Sequence, residues 1–149
     1  MLRAALVLLL AAPPALAQGI EVRDAYAFSP RPGAPTGAAY MVIANAGGAD
    51  RLLSASSPAA RHVVLHDSVE EGGVVRMEEA RAGIEVPAGG ELALVRGGAH
   101  LMFMGITDPF EDGATVPIVL SFERAGEVAV EVPVDQSRLA GPAAAPAAP

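Results

Sequence analysis

Short apolar runs, several of them alternating with polar residues at period two, recur along the chain between Gly and Pro breakers. Glu91-Leu-Ala-Leu-Val and Val128-Ala-Val-Glu-Val-Pro-Val are clear cases, the second rich in β-branched side chains. On an extended backbone successive side chains leave opposite faces, so a period of two marks a half-buried strand. The pattern predicts strands over Ile20–Ala27, Ala38–Asn45, Arg51–Ser56, His62–Asp67, Val74–Glu79, Glu91–Val95, His100–Ile106, Thr115–Glu123 and Val128–Val134. Breakers fall between them at Gly47-Gly48, Gly72-Gly73, Pro87-Ala-Gly-Gly90, Gly97-Gly98, Asp112-Gly113 and Gly126. No window sustains a 3.6-residue period and no internal repeat is visible. The predicted fold class is all-β, an antiparallel sandwich or Greek-key barrel.

The two ends break this pattern. Met1-Leu2-Arg3, the apolar run Ala4 to Leu10 and the closing Ala15-Leu16-Ala17 meet the three-part plan of a secretory signal peptide. The expected leader is 1–17, with Gln18 the first mature residue and secretion the expected fate. The stretch from Ala4 to Ala17 contains Pro13-Pro14 and is too short for a bilayer core of about 30 Å. No membrane span is therefore expected after cleavage. No Cys follows the leader to carry a lipid. The Ala/Pro run 140–149 has no charge and no large side chain, and is expected to be a disordered tail. One β domain, 18–139, remains, long enough to bury a core.

Composition then narrows the chemistry. The 149 residues contain no Cys, which removes disulfides, thiolate zinc sites, iron–sulfur clusters and thiol nucleophiles. The ten basic residues are outnumbered by seventeen acids, for a formal charge of −7, so a nucleic-acid partner is not expected. His66-Asp67-Ser68 holds triad residue types, but neighbours on a strand point to opposite faces, and a triad needs its three groups in one hydrogen-bonded chain. There is no G-x-S-x-G, His-Glu-x-x-His or phosphate loop. The pairs Glu70-Glu71 and Glu78-Glu79 read as surface acids of a hairpin. An enzyme is not expected.

What remains is soft-donor chemistry. His66 is followed after ten residues by Met77 and, after twenty-two more, by His100-Leu101-Met102. His100 and Met102 leave one face of a strand with Cα atoms about 6–7 Å apart, close enough to share an ion. The Val69-Glu-Glu-Gly-Gly stretch reads as a hairpin connection that could bring His66 near Met77, and a Greek key could set that hairpin beside His100. Thioether sulfur is soft and neutral and suits Cu(I) better than Zn, Mg or Ca. Taken singly, a Met in a strand is core filler and a His a surface group. His62 shares a face with His66, but four strand residues separate them by about 13 Å, so they cannot share an ion. Met104 reads as core, or at most as a side chain behind the ligands, and Met41 as core.

These residues carry a resemblance. His66, Met77, His100 and Met102 resemble the ligand pattern of the periplasmic copper-chaperone PCu(A)C family, also called DUF461. The likeness extends through Ile20-Glu-Val-Arg-Asp-Ala-Tyr-Ala, Ala39-Tyr-Met-Val-Ile-Ala-Asn, Gly83-Ile-Glu-Val-Pro-Ala-Gly-Gly, Gly97-Gly-Ala-His-Leu-Met-Phe-Met-Gly and Val116-Pro-Ile-Val-Leu-Ser-Phe-Glu. It implies a cupredoxin-like barrel that binds one Cu(I) through His66, Met77, His100 and Met102. It also implies delivery toward the CuA centre in cytochrome c oxidase subunit II, beside a Sco-type chaperone. Two departures stand out. The second interval is one residue longer than the family's usual one, with the extra residue expected in the Glu79-Ala-Arg-Ala-Gly83 turn. Ala99 stands where an aromatic often precedes the His. The C-terminal run has neither His nor Met, so a single Cu(I) site with weak or no Cu(II) binding is expected. Two rivals remain. One is a periplasmic β-sandwich interaction module without metal. The other is a redox enzyme of copper, for which the blue-copper type is excluded by the missing Cys.

Overall fold

The computed structural model describes residues 19–140; the expected leader and nearly all of the expected tail lie outside the described residues. The described residues form ten strands: β1 (Ile20–Phe28), β2 (Thr36–Asn45), β3 (Asp50–Ser56), β4 (Ala60–Glu71), β5 (Val74–Glu79), β6 (Ile84–Val86), β7 (Glu91–Leu94), β8 (His100–Ile106), β9 (Thr115–Phe122) and β10 (Gly126–Pro133). A short 3₁₀ helix, Gln136–Ala140, follows. All nine predicted strands are present; the sequence reading missed β6 and the 3₁₀ turn.

The strands pair antiparallel in two sheets. One runs β1-β2-β8-β4-β5, with β7 beside the far end of β2; the other runs β10-β9-β3-β6. The inward faces meet in one core that includes Ile43, Leu65, Leu101, Phe103, Ile118 and Leu120. The outward face of the first sheet carries the alternate residues and is where the candidate chemistry lies.

Two devices set which residues face outward. In β1 the register slips between Arg23 and Tyr26, where two residues oppose one on β2. Asp24 takes φ 51°, one of the few conformations that lets a strand bulge here. Before the bulge Ile20 faces the core; after it the parity reverses, Ala27 faces the core, and Tyr26 and Phe28 face outward. At the tip of the β4–β5 hairpin, Gly72 and Gly73 have φ 59° and 80°, the left-handed pair required by the tight turn whose twist matches two strands.

The chain crosses from the first sheet to the second between β2 and β3, and buried polar side chains pin both sides of the crossing. Asn45 donates to the carbonyl of Gly48 at 2.8 Å, while its own carbonyl accepts from the Gly47 N–H at 2.9 Å. Asp50, 7 % exposed, accepts from the backbone N–H groups of Arg51 (2.8 Å), Arg124 (2.8 Å) and Ala125 (2.9 Å). Its carboxylate thereby ties the start of β3 to the β9–β10 turn. Burial alone would raise the Asp50 pKa, but the three N–H donors override it and hold the group below its usual range.

Asp50→Ala leaves those donors without their carboxylate and is expected to lower the unfolding free energy by about 3 kcal/mol in urea denaturation. Asp50→Asn, which keeps an acceptor, is expected to cost less. Because the folded pKa is depressed, this stabilisation is present above the unfolded carboxyl value of about 3.9 and is lost as pH falls through the folded one. An unchanged denaturation midpoint in Asp50→Ala would refute this role.

Candidate metal centre

The register of three neighbouring strands brings the sequence-predicted residues onto one outward face. His66 on β4 lies directly opposite His100 on β8, and opposite Glu79 on its other side. The two imidazole rings meet edge to face with centroids 5.4 Å apart. Met102 lies opposite Val64, one pair inward from the histidines, and Met77 lies opposite Ser68, one pair toward the hairpin tip. Each methionine is therefore a diagonal neighbour of His66, a relation that places Cα atoms about 7–8 Å apart. The expected hairpin is present with a tighter turn than residues 69–73, since Val69 to Glu71 belong to β4, and β8 lies beside it. The two methionines flank the histidine pair from opposite sides.

Burial grades across this face. His66, His100 and Met102 are half-buried, whereas every residue of β5 is exposed and Met77 is 43 % exposed. Met41 is in the core, as expected, at 1 % exposure. Met104 is not. It lies opposite His62 on the outward face and is 43 % exposed, so its reading as core is corrected. Period two fixed its face together with Met102, but no cover reaches that end of β8.

Behind the histidine pair stands an aromatic wall that the sequence reading did not assign. Tyr40 packs against His100 with centroids 6.0 Å apart, and Tyr26 (5.3 Å) and Phe28 (5.7 Å) pack on Tyr40. The Arg138 guanidinium lies 4.4 Å over the Tyr26 ring and bonds Asp24, the bulge residue, at 3.0 Å. The two tyrosines are the only ones in the chain. Their scarcity, and their place in the Ala-Tyr-Ala and Ala-Tyr-Met runs, is the signal that could have singled them out. Burial raises the Tyr40 phenol pKa, with Tyr26 adding to the effect and Arg96 opposing it, so the group stays neutral. Beside this wall a groove of about 180 Å³ runs along Phe28, Ala38, His100 and Met102.

Hydrogen bonding orients the rings. His100 Nδ1 lies 3.0 Å from the Gly98 carbonyl. A carbonyl can only accept, so Nδ1 carries the proton and Nε2 keeps its lone pair for a metal. Burial lowers the His66 pKa below its ordinary value; the nearby His100 lowers it further and Glu79 opposes both. Glu79 is itself engaged by Arg81 at 3.0 Å. Among the described residues no group of three or more His, Asp or Glu side chains gathers as a metal site. The thioethers nearest the histidine pair are those of Met102 and Met77, each one pair away along β4. The arrangement sets two imidazoles side by side with two thioether sulfurs at their flanks, a donor set that favours a soft cation.

Comparison with known proteins agrees with the fold. Residues 20–134 match the model of a protein family described as "Putative lipoprotein LpqE-like". A protein of Leifsonia xyli subsp. xyli described as "Putative lipoprotein Lxx21020" is 35% identical over 119 residues, 79% of this chain and 70% of the relative. The solution structure of the Cu(I) form of DR1885 from Deinococcus radiodurans is similar at TM-score 0.62 and 30% identity, covering 83% of this chain and 84% of that one. Its apo form matches at TM-score 0.63 and 28% identity over 91% of both chains. The copper-bound PCuAC domain from PmoF2 matches at TM-score 0.65 and 24% identity, covering 78% of this chain and 92% of that domain. The fold is thus all-β and cupredoxin-like, as the sequence implied.

The depressed His66 pKa makes a signed prediction for the metal-free protein. In an NMR titration the His66 ring should protonate with a midpoint below about 6.5, the unperturbed value. The unfolded chain then binds the proton first, so this group's contribution to stability is complete above about pH 6.5 and is lost as pH falls through the folded value. A midpoint above 6.5 would show that Glu79, not burial, governs the ring.

Proposed function

The chain belongs to the LpqE-like family, and from that premise we propose that it is an exported Cu(I) carrier of the PCu(A)C type. The observation that carries the reading is the ring contact between His66 and His100, 5.4 Å apart on an outward face with Met102 and Met77 at its flanks. The copper-bound forms of DR1885 and of the PmoF2 domain, built on the same fold, support it. The ligands proposed for one Cu(I) are His66, Met77, His100 and Met102.

His100 binds through Nε2, with the Gly98 carbonyl fixing the tautomer. His66 is already biased to its neutral, donating form. Met77 sits on an edge strand held only by β4, so a twist of the hairpin can bring its sulfur over an ion on the histidine pair. No nucleophile and no proton transfer is needed, and we assign no enzymatic activity. Release proceeds by ligand exchange: an acceptor thiolate or imidazole enters and the thioethers leave one at a time. Thiolate is the stronger soft donor, so transfer to it is downhill.

The acceptor proposed is the CuA centre of cytochrome c oxidase subunit II, directly or through a Sco-type chaperone. Export to the periplasm through the leader 1–17 completes the reading. The lipoprotein descriptions of the family and of the Leifsonia xyli protein support a place outside the cytoplasm. No cysteine occurs in these 149 residues to carry a lipid.

Anaerobic Cu(I) titration against a competing chelator tests the proposal. One tight equivalent is expected. Met77→Ala and Met102→Ala should each weaken it by more than about tenfold, the least that loss of a direct ligand should cost. His62→Ala and Met104→Ala should leave that equivalent in place. Less than one tight equivalent in the unaltered protein would leave the sandwich as an interaction module without metal.

A further inference from the structure

We propose that His62 and Met104 form a second, exposed Cu(I) site that shares Met102 with the histidine-pair site. The inference rests on the copper reading for the identity of the ion, but its donors and geometry are its own. His62 on β4 and Met104 on β8 are direct cross-strand partners on the outward face. Such partners have Cβ atoms about 4.5–5.5 Å apart. Both side chains are exposed, Met104 by 43 %. Met102 leaves the same face two residues along β8, about 6–7 Å away, and is a diagonal neighbour of His62. One imidazole nitrogen and one thioether sulfur therefore face each other, with a second sulfur within reach. Two or three neutral soft donors suffice for Cu(I), which imposes no rigid geometry, whereas the hard cations want oxygen.

The order of the rows gives the pair its meaning. Along the β4–β8 ladder three successive outward pairs are His66–His100, Val64–Met102 and His62–Met104. Every row holds an imidazole or a thioether, and exposure rises along them from the half-buried histidine pair to the open His62–Met104 pair. Met102 stands between the two sites and is diagonal to a histidine of each. An ion taken up at His62–Met104 can gain Met102, which bridges to the other site, and pass to His100 or His66 as His62 and Met104 let go. The oxidation state does not change, and thioether sulfur has no proton to lose on binding. The exposed pair is thus an entry or exit point for the same cargo. The separation of about 13 Å between His62 and His66 that keeps them from sharing one ion is what allows two ions on one face.

The test is an anaerobic titration of the full chain with Cu(I), followed by the Met methyl and His ring signals in NMR. The first equivalent is expected to move Met77, Met102, His66 and His100. Beyond it, Met104 and His62 should move together and saturate at a second, weaker equivalent. H62A and M104L, both on exposed positions, should each weaken that second step by more than about tenfold and leave the first unchanged. The inference is overturned if Met104 and His62 stay still past the first equivalent, if Met104 moves with the first, or if H62A leaves the Met104 response intact. The double variant H66A/H100A separates the two readings. A surviving His62–Met104 response there upholds this site even where the wild-type protein shows no tight equivalent, and its loss overturns the site.

Discussion

The register between β4 and β8 is the constraint on which the rest of the molecule depends. On the inward side it sets Leu65 against Leu101 and Val63 against Phe103; Leu101 and Phe103 are fully buried and Leu65 is 4 % exposed. On the outward side the same register sets His66 against His100. A slip of one residue would turn the leucines to water and the histidines into the core. Each large apolar side chain exposed would cost roughly 2 kcal/mol, and each buried imidazole would lack a hydrogen-bond partner. The apolar residues between the donors therefore position the donors. His66 and His100 touch because Leu65 and Leu101 pack.

Much of this is legible in the amino-acid sequence, for a physical reason. Period two survives in β8 and β9 because each has one buried and one outward face, and the same alternation placed His100 and Met102 together. What was not legible depends on which strands become neighbours. Tyr26, Tyr40, His100, His66 and Glu79 lie in one row across five strands, and no local pattern in the chain specifies that row. The bulge at Asp24 hides it further, because it reverses parity within β1. β6 escaped notice because three residues between Gly83 and Pro87 are too few to show a period. Met104 shows the same limit from another side: alternation tells which residues share a face, but not whether anything packs over it.

The aromatic wall changes how the site should be understood. A histidine at the end of a strand would be free to turn about its side-chain bonds. Here Tyr40 closes one side of the His100 ring, the Gly98 carbonyl holds Nδ1, and His66 meets the ring edge to face. Tyr26, Phe28 and Arg138 support Tyr40 in turn. The histidine pair is preorganised, whereas Met77 stands on a strand with every residue exposed and one neighbour only. The histidine pair is the rigid part of the donor set and Met77 the compliant part. A carrier needs that division, since the rigid part defines the binding place and the compliant part can be displaced.

The separation of core from site has a thermodynamic consequence. In small zinc domains the ion completes the fold, so binding energy is folding energy and the metal cannot leave without unfolding the chain. None of His66, Met77, His100 and Met102 belongs to the core cluster, which closes beneath them through Leu65, Leu101 and Phe103. Asn45 and Asp50 secure the crossing between sheets far along the chain from those residues. The fold thus stands without an ion, and binding adds to its stability without creating it. Among the elements that carry the proposed ligands, β5 is the one with every residue exposed. An acceptor competing for such an ion would work against the ligand bonds and the reordering of β5, not against the folding free energy of the domain.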